Sequence, residues 1–281
     1  KPVPLTDPHF AIVGRPNVGK SALTNAILGE ERSIVSSVPG TTRDAIDTPF
    51  YFQDLPIVLI DTAGIRRRGS IAKGIESFSV LRAIRAIDRS SVALLVLDAT
   101  ELVTAQDLHI AGQINGTFKG VVVVVNKWDL AQDSGTDEDL IRSHVHSRFR
   151  FMDHVPVVFT DALSGWGITG LMDSAVKVHS EWKRWISPSR LQSVAMEAIA
   201  RHLPPRKRNS SMKIYRVKQE SIAPPTFAFY CNNPGLMHFS YERYLENTIR
   251  EEFGFQGVHL RLEFRGKGKR HVIGGKQHPL R

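Results

Sequence analysis

The stretch GRPNVGKS, Gly14 to Ser21, carries residue types that can bind phosphate, at the spacing G-x-x-x-x-G-K-S. Its glycines permit a tight loop whose backbone N–H groups face an anion, and a following helix would add the positive end of its dipole. Lys20 would bring charge to the β and γ phosphates of a nucleotide, and Ser21 would offer an oxygen to Mg²⁺. The alternative is a chance glycine turn, but the position between an apolar run and a helical segment favours a nucleotide phosphate site.

The stretch DTAG, Asp61 to Gly64, follows another apolar run. An aspartate at the carboxyl end of a buried strand lies at the edge where open α/β sheets bind ligands, and there it can hold a metal-bound water. Gly64 would then offer its backbone N–H to the γ-phosphate. Asp and Gly are also common turn residues, so this interpretation depends on the phosphate loop upstream.

The stretch NKWD, Asn126 to Asp129, follows the run GVVVVV and predicts base specificity. The Asp129 carboxylate can accept both N1–H and the exocyclic amine of guanine, whereas adenine presents an acceptor at N1. The stem of Lys127 can cover the face of the base, and Asn126 can tie this loop to the phosphate loop. A plain strand-ending turn is the alternative, but together the three motifs predict a guanine nucleotide.

Short apolar runs and helical segments alternate around these motifs. The runs HFAIVG, LPIVLID, SSVALLVLD, GVVVVVNK and VPVVFTDA are short and rich in β-branched residues, which predicts buried strands. The segments SALTNAILGE, IESFSVLRAIRAIDR, TAQDLHIAGQI, DEDLIRSHVHSRF and ITGLMDSAVKVHSEWKRWI have helical periodicity. This alternation predicts an α/β domain whose mostly parallel sheet has helices on both faces.

The pattern changes near Pro188, where we place a domain boundary. The segments that follow have the order α-β-β-α-β, which predicts a smaller α+β domain. The predicted organisation is a linker at 1–9, a nucleotide-binding domain at 10–186, a second domain at 187–265 and a basic tail at 266–281. The stretch RGKGKRHVIGGKQHPLR at the end has four glycines and no acidic residue, which predicts poor order.

Charge is divided unequally along the chain. Residues 1–188 hold 20 Lys and Arg against 21 Asp and Glu, a net of −1, whereas residues 189–281 hold 17 against 7, a net of +10. This asymmetry predicts a polyanionic partner for the last third of the chain. The single cysteine, Cys231, excludes an internal disulfide and favours a reducing compartment and a filling role. No apolar run approaches the roughly 20 residues of a bilayer span and no signal peptide is recognisable, so we expect a soluble protein.

The three motifs in this order make the first 186 residues resemble the translation-factor class of P-loop GTPases. That resemblance implies a six-stranded, mostly parallel sheet with about five helices. The stretch PGTTRD, Pro39 to Asp44, resembles the switch I segment of this class. By resemblance Thr42, or otherwise Thr41, would join Ser21 as a protein ligand of Mg²⁺.

The stretches PGTTRDAID, DTAGIRRRG, SFSVLRAIRAIDRS, PPTFAFYCNNP and FSYERYLENTIREEFGF resemble a more specific group. They are similar to the second GTPase domain and the C-terminal KH-like domain of the Der (EngA) family, tandem GTPases of ribosome assembly. The resemblance implies a P-loop GTPase domain at 10–186 and a KH-like domain at 187–265. Because that family carries two GTPase domains and this chain carries one, we expect the chain to be a fragment.

Motifs and resemblance together define a set of candidate site residues. The nucleotide contacts are Gly14, Arg15, Pro16, Asn17, Val18, Gly19, Lys20, Ser21, Asp61, Thr62, Ala63, Gly64, Ile65, Asn126, Lys127, Asp129, Ala162 and Leu163. The catalytic candidates are Asn17, Lys20, Thr42 and Gly64, and the magnesium ligands are Ser21, Thr42 and Asp61.

The sequence departs from the family beside the guanine. Where the family usually has Ser-Ala-Leu, this chain has Asp161, Ala162 and Leu163. Ala162 can still present its backbone N–H to the base oxygen. A carboxylate at Asp161 is a candidate to repel Asp129 and thereby to lower nucleotide affinity.

Ile65 occupies the place where many signalling GTPases have a glutamine that orients water. Isoleucine cannot do this chemistry, so help with hydrolysis must come from elsewhere. In related GTPases an asparagine at the position of Asn17 and a structured switch I loop bind K⁺, whose charge can act where an arginine finger would. Our hypothesis is that Asn17 and the loop 36–42 bind K⁺ here. The alternative is that Asn17 only satisfies loop backbone groups.

Several basic and aromatic residues have two interpretations. Arg66, Arg67 and Arg68 would be either a solvated face or a contact with ribosomal RNA or a neighbouring domain in one nucleotide state. Trp182 and Trp185 would either pack between domains or stack on bases, with packing favoured.

The second domain has an unusual form of the KH pattern. RNA-clamping KH domains use a G-x-x-G loop between two helices. Here GFQG, 254–257, lies between a helix and a strand and predicts a helix end followed by a turn. The stretch NNPGLMHFS occupies the expected loop position, so the usual clamp is missing. Basic residues at 206–208, Lys213, Arg216, Lys218 and in the tail remain able to bind phosphates.

The leading functional hypothesis is a switch that hydrolyses GTP to GDP while assisting assembly of the large ribosomal subunit. Its cofactors would be GTP or GDP, Mg²⁺ and K⁺, and its partners that subunit with its rRNA and an N-terminal GTPase domain absent from this chain. We expect a monomer without membrane contact in the bacterial cytoplasm, associated with ribosomes, with an organellar origin left open. The alternatives are a nucleotide-gated RNA-binding scaffold with negligible hydrolysis, or a GTPase acting on transfer RNA modification or at membranes.

Overall fold

The computed structural model describes residues 7–29, 47–62, 76–132, 135–204, 206–207, 210–266 and 269–273. The chain divides into two compact units, Lys1–His179 and Ser180–Arg281, here called unit 1 and unit 2. The division falls inside a helix, Ile168–Trp182, upstream of the change in sequence pattern near Pro188. Among the residues that the structure describes, no helix is long and apolar enough to cross a bilayer.

Unit 1 contains a six-stranded sheet with the order β2-β3-β1-β4-β5-β6. The strands are β1 His9–Val13, β2 Thr48–Phe52, β3 Leu55–Ile60, β4 Val92–Asp98, β5 Gly120–Asn126 and β6 Val157–Thr160. All neighbours are parallel except β2 and β3, which are antiparallel. Every residue of β4 and β5 is buried, as expected for central strands covered on both faces. The predicted mostly parallel α/β sheet is therefore confirmed.

Strand β2 has no counterpart among the five apolar runs that the sequence pattern identified. Its sequence, TPFYF, contains Pro49, which is tolerated in strands chiefly at sheet edges, and β2 is the edge strand of this sheet. The resemblance to P-loop GTPases implied six strands, and the sixth lies here.

Helices connect the parallel strands of unit 1. They are α1 Lys20–Gly29, α2 Glu76–Arg89, α3 Ala105–Asn115, α4 Trp128–Gln132, α5 Glu138–Arg148 and α6 Ile168–Trp182. Five coincide with predicted segments, and α4 was missed because a five-residue helix gives little periodic signal. The prediction for α6 was too long, since it ran to Ile186 whereas the helix ends at Trp182, whose carbonyl accepts the N–H of Ala223.

Unit 2 is a smaller α+β domain built on a four-stranded sheet with the order β12-β11-β10-β9. Its elements are α7 Pro188–Arg201, β7 Arg206–Lys207, β8 Ser210–Ser211, β9 Ile214–Ser221, β10 Thr226–Cys231, a 3-10 turn Pro234–Leu236, α8 Phe239–Phe253, β11 Arg261–Gly266 and β12 Lys269–Ile273. Strand β10 is parallel to β11 and antiparallel to β9. The predicted order α-β-β-α-β is thus confirmed for the long elements.

The expectation of a poorly ordered tail at 266–281 is wrong for its first part. Residues 269–273 form β12, which pairs antiparallel with β11, for example Glu263 with Val272. The pairing supplies β11 with a second neighbour, and Val272 and Ile273 are β-branched residues that favour strands. Glycine content misled the prediction, and residues 274–281 lie outside the described ranges.

The stretch GFQG behaves as the sequence predicted. Helix α8 ends at Phe253, and Gly254 follows with φ 88°, its N–H donating to the carbonyl of Arg250. Asn233 begins a single 3-10 turn in NNPGLMHFS, its side chain accepting the N–H of Gly235. No second α-helix precedes α8 between β10 and His238, all of which is described, so the usual KH clamp is absent. Cys231 is buried, which fits a filling role, and burial raises the pKa of its thiol to about 11.

Candidate nucleotide-binding site

The phosphate loop lies between β1 and α1, and its two glycines are required by close approach. A Cβ added to Gly14, at φ 151°, would lie 2.5 Å from the carbonyl oxygen of Val96. A Cβ added to Gly19, at φ 95°, would lie 2.2 Å from Nδ2 of Asn126. Real Cβ atoms do not approach other heavy atoms so closely. The loop is therefore held tightly against the ends of β4 and β5.

The ammonium of Lys20 lies within the curve of this loop. Its Nζ donates to the carbonyl oxygens of Gly14 at 2.9 Å and Arg15 at 2.5 Å. Lys20 is half-buried and is the first residue of α1, whose N-terminus carries the positive end of a helix dipole. Positive charge and backbone N–H groups are thus concentrated where the sequence predicted phosphate.

Arg15 was grouped with the nucleotide contacts, but its side chain is bound elsewhere in unit 1. The guanidinium contacts Glu101 at 2.7 Å, and its Nε lies 3.4 Å from the carboxylate of Asp107, which is completely buried. Asp107 also accepts the backbone N–H of Thr104 at 2.9 Å in the capping box of α3. These contacts anchor the second residue of the phosphate loop to the start of α3. The sequence signal for this role of Asp107 is the pattern T-x-x-D, Thr104 to Asp107, which is typical of a capping box.

Asn126 joins three loops through one buried side chain. Its Nδ2 donates to the carbonyl oxygen of Val18 at 2.9 Å, as the sequence predicted. Its Oδ1 accepts the hydroxyl of Thr160 and the backbone N–H of Ala162, both at 3.1 Å. Asn126 is only 2% exposed. The side chain therefore fixes the phosphate loop, the NKWD loop and the loop after β6 to one another.

Lys127 is held over the same edge by Asp98, which sequence reasoning did not identify. Lys127 has φ 62°, uncommon for a residue other than glycine, and its Nζ lies 2.6 Å from Oδ2 of Asp98. Burial alone would raise the pKa of Asp98, but hydrogen bonds from Lys127 and Thr100 outweigh it and keep that pKa below its usual value. The pairing of β4 with β5 places Asp98 beside Asn126, so Asp98 was a candidate only once strand register was known.

Asp129 lies in the first turn of α4 and is half-buried. Its carboxylate makes no hydrogen bond or ion pair with any residue in the described ranges. The hydrogen-bond acceptors proposed for N1–H and the exocyclic amine of guanine are therefore available.

The loop after β6 contains Asp161, Ala162 and Leu163. The Asp161 carboxylate accepts the N–H groups of Leu163 at 3.0 Å and Ser164 at 3.3 Å. Burial alone would raise the pKa of Asp161, but these bonds outweigh it and lower the pKa. The Ala162 N–H, predicted to meet the base oxygen, donates here to Asn126 and would have to share that hydrogen with a base. Leu163 is 88% exposed.

The magnesium candidates Ser21 and Asp61 lie at the ends of adjacent parallel strands. Ser21 is exposed in the first turn of α1, after β1, and Asp61 follows β3 with φ 57°. The Asp61 N–H donates to Asp47 at 3.1 Å, and Asp47 pairs with Arg89. A hydroxyl and a carboxylate are oxygen donors of the kind that Mg²⁺ prefers, so this donor set fits the ion.

Some predicted site residues lie outside the described ranges and remain predictions. They are Thr41, Thr42, Ala63, Gly64, Ile65, Arg66, Arg67, Arg68 and the loop 36–42. Thr62 is described and buried, with its hydroxyl 2.7 Å from that of Thr48. Asn17 is exposed at φ 66°, and its side chain makes no hydrogen bond to a described residue. The described residues therefore give no support to a purely structural role for that carboxamide.

Comparison with known proteins matches two segments of the chain to family models. Residues 9–127 match a model described as a 50S ribosome-binding GTPase. Residues 185–265 match a model described as the C-terminal KH-domain-like part of EngA bacterial GTPase enzymes. Among solved structures, an Era protein of Aquifex aeolicus bound to GDP and AlF4⁻ is 22% identical, with a TM-score of 0.46 and coverage of 92% of this chain and 93% of that one.

Curated relatives match across both halves. GTPase Der of Thermomicrobium roseum is 52% identical over 260 residues, covering 92% of this chain and 56% of the relative. GTPase Der of Chloroflexus aggregans is 47% identical over 264 residues, covering 93% of this chain and 59% of the relative. The chain therefore spans less than two thirds of these relatives. With the GTPase and KH-like models in the same order, these identities show that the chain belongs to the Der (EngA) family of GTPases.

Proposed function

We propose that this chain binds GTP and hydrolyses it to GDP and phosphate, with nucleotide chemistry in domain 10–186 and ribosomal RNA contacts in domain 187–265. The observation that carries the proposal is the bonding of Asn126 to Val18, Thr160 and Ala162. One buried side chain thereby brings a phosphate loop and a base-recognition loop to the same sheet edge.

Guanine selectivity is assigned to Asp129. Its carboxylate, which pairs with no described residue, accepts two N–H groups of guanine, and adenine would leave it facing another acceptor. Lys127, whose Nζ lies 2.6 Å from Asp98, covers the base with its aliphatic stem.

Phosphate recognition is assigned to Lys20 and the backbone N–H groups of the loop. Lys20 exchanges its bonds to the Gly14 and Arg15 carbonyls for bonds to phosphate oxygens. Magnesium, when bound, neutralises charge on the β and γ phosphates. Ser21 and Asp61 would hold it, with the predicted Thr42 as a third protein ligand.

Hydrolysis uses water as the nucleophile, and Ile65 offers no group to orient it. Asn17 presents on the loop a carboxamide that bonds to no residue in the described ranges, and we assign to it the binding of K⁺ beside the phosphates. GTP turnover should be faster in KCl than in NaCl at matched ionic strength. An Asn17→Ala variant should lose this difference, and equal rates in both salts for the unmodified chain would refute the K⁺ assignment.

Calorimetry tests nucleotide recognition directly. The chain should bind GDP and GTP but not ATP, and Asp129→Asn should weaken GDP binding roughly a hundredfold, since two charge-assisted hydrogen bonds are lost. Asp139→Asn removes an exposed carboxylate from α5 and serves as the matched control. No heat with either guanine nucleotide would refute the proposed function. Tight binding with negligible turnover would favour the RNA-binding scaffold.

The partner proposed for the whole protein is the large ribosomal subunit. The GTPase family model is described as 50S ribosome-binding, and residues 189–281 carry a net charge of +10. We propose that the chain acts as a monomer in the cytoplasm. Co-sedimentation with separated subunits should show a preference for the large one that differs between GDP and a non-hydrolysable GTP analogue. Equal binding to both subunits would contradict the proposal.

A further inference from the structure

Unit 2 contains a groove between the start of α7 and β9, with a volume of about 560 Å³. Three parts of the chain form its wall. They are Trp185 and Ile186 before α7, the α7 residues Pro188, Ser189 and Gln192, and the β9 residues 215–219. Strand β9 is an edge strand of its sheet, at the opposite end from β12. All of the wall belongs to unit 2, and none of it takes part in the nucleotide site.

Two aromatic side chains of the groove are strongly exposed. Trp185 is 54% exposed and Tyr215 is 60% exposed, whereas Trp182, three residues before Trp185, is 3% exposed. The side chains of Trp185 and Tyr215 make no hydrogen bond or ring contact with a described residue. Large rings are normally buried, and exposed rings in a groove are typical platforms for stacked bases.

The charge of the groove favours an anion. Its charged wall residues are Arg216 and Lys218, and no carboxylate belongs to the wall. Arg216 has no ion pair within the described ranges, and Lys218 lies 3.9 Å from Glu220, a weak contact. The pairing of β9 with β10 shifts register between Ile214 and Arg216, and Tyr215, Arg216 and Lys218 all belong to the groove wall. The groove therefore offers a ring and two cations along one short stretch of strand.

The start of α7 adds donors to the same groove. Ser187, the residue before α7, makes no side-chain capping bond, and the first turn has no acidic residue. The first N–H groups of a helix have no partner within the helix and favour anions. This feature supports phosphate binding only in combination with the rings and cations.

The edge of β9 is partly closed by Gln192. The Gln192 carboxamide accepts the N–H of Val217 at 2.9 Å and donates to the carbonyl of Tyr215 at 3.5 Å. These are backbone groups that an added peptide strand would need, so the bonds disfavour strand addition. They also show that a flat polar group fits against this edge, as the edge of a nucleobase would.

We propose that this groove binds a single-stranded segment of RNA, whose bases stack on Trp185 and Tyr215 and whose phosphates contact Arg216 and Lys218. The inference rests on the proposed function in so far as that function includes RNA contact by unit 2, but it requires no GTP chemistry. It assigns RNA to a surface that is not a G-x-x-G loop.

The test is fluorescence anisotropy of a labelled single-stranded uridine oligomer with the full chain, without nucleotide and with GDP. Trp185→Ala and Tyr215→Ala should each raise the Kd about tenfold, and Trp185→Phe should retain most of the affinity because it can still stack. Phe239→Ala is the matched control, since Phe239 is 55% exposed in unit 2 outside the groove, and its Kd should stay within about twofold. Thermal unfolding by circular dichroism verifies that each variant folds.

Salt dependence tests the cations separately. Arg216→Gln should reduce the slope of log K against log salt by about 0.7, the value for one phosphate contact on a single strand. Arg201→Gln makes the same change of charge at a 70% exposed side chain outside the groove and should leave the slope unchanged.

Three results of the RNA-binding measurements would overturn the groove assignment. They are no binding by the unmodified chain, equal affinity for single strand and duplex, or a Kd of Trp185→Ala and Tyr215→Ala equal to that of Phe239→Ala. If Trp185→Ala and Tyr215→Ala keep their affinity for RNA but lose binding to a protein partner, the groove is a protein interface and the assignment is also overturned. GTP turnover of the unmodified chain is measured in parallel. Its absence beside groove-dependent RNA binding would refute the proposed function alone.

Discussion

Strands β5 and β9 place functional groups in different ways. Strand β5 is buried at every residue from Gly120 to Asn126, and its chemistry begins only where the strand ends. Strand β9 has buried residues at Ile214, Val217 and Gln219 with exposed residues between them, so groups are presented along its length. Unit 1 therefore concentrates function at one buried edge, whereas unit 2 spreads it over an exposed surface.

This difference has an energetic consequence. At the end of β5 the Asn126 side chain has three partners, so its substitution leaves more than one buried group unsatisfied, at about 1–3 kcal/mol each. Exposed rings and cations on β9 act nearly independently and are partly solvated. Changes to the tightly packed groups around Asn126 should therefore have larger effects than changes to the exposed groups of β9.

The largest effect is expected at Gly19. Gly19→Ala places a Cβ 2.2 Å from Asn126 Nδ2 at a φ of 95°, so either the loop or Asn126 must move. GDP affinity should fall by more than about a hundredfold, since an ångström-scale displacement of binding groups is costly. Calorimetry measures it, with Gly112→Ala as control because nothing lies within 4 Å of its added Cβ. A GDP affinity equal to that of the control would contradict the tight-loop account.

A smaller but still large effect is expected at Asn126. Asn126→Ala leaves the Val18 carbonyl, the Thr160 hydroxyl and the Ala162 N–H without this partner, and should lower the free energy of unfolding by about 2–3 kcal/mol. Urea denaturation measures it. Asn25→Ala, at an exposed position of α1, should change stability little. A loss below about 0.5 kcal/mol at Asn126 would remove the contrast between the two strands.

Glu242 tests a buried carboxylate oxygen that has no partner among the described residues of unit 2. Its Oε2 has no hydrogen-bond partner among the described residues, and burial together with Glu246 raises its pKa to about 8. The unfolded chain ionises near pH 4.5, so stability is lost as pH rises from there to about 8 and is then constant. Glu242→Gln should stabilise the protein at pH 8 by about 2 kcal/mol and flatten this pH dependence.

Urea unfolding at pH 5 and pH 8 measures the Glu242 effect. Glu251→Gln, an exposed substitution on the same helix, is the control and should keep the pH dependence of the unmodified chain. If Glu242→Gln destabilises equally at both pH values, the carboxyl is a hydrogen-bonding group rather than a buried acid.

The smallest effect is expected at Asp98. Because its folded pKa is lowered, the pair with Lys127 stabilises the protein above the unfolded pKa, near 3.8, and this stability is lost as pH falls through the folded value. Asp98→Asn should cost about 1 kcal/mol at pH 7 and little at pH 2, measured by urea unfolding. Asp139→Asn should show no such difference. An equal cost at both pH values would mean that packing, not charge, holds Lys127.

Local sequence features predicted much of the fold and of the candidate site. The strand of valines at 121–125, the glycine spacing at 14–19 and the Asn–Lys–x–Asp turn depend on backbone geometry within a few residues, so they can be read from the chain directly. Helical periodicity likewise predicted five helices of unit 1, and short apolar runs predicted five of its strands. Strand β12 was missed because its pairing with β11 outweighs the glycines beside it.

The amino-acid sequence by itself determined the phosphate loop, the carboxylate predicted to bind guanine and the basic last third of the chain, because residue type and short spacing suffice for these. Only the tertiary structure decided that Asp98 pairs with Lys127, that Arg15 is anchored by Asp107, and that Trp185 is exposed while Trp182 is buried. These properties depend on residues that are far apart in the sequence and are brought together by strand register and by the connections between strands. Local sequence preferences act over a few residues and therefore cannot predict such contacts.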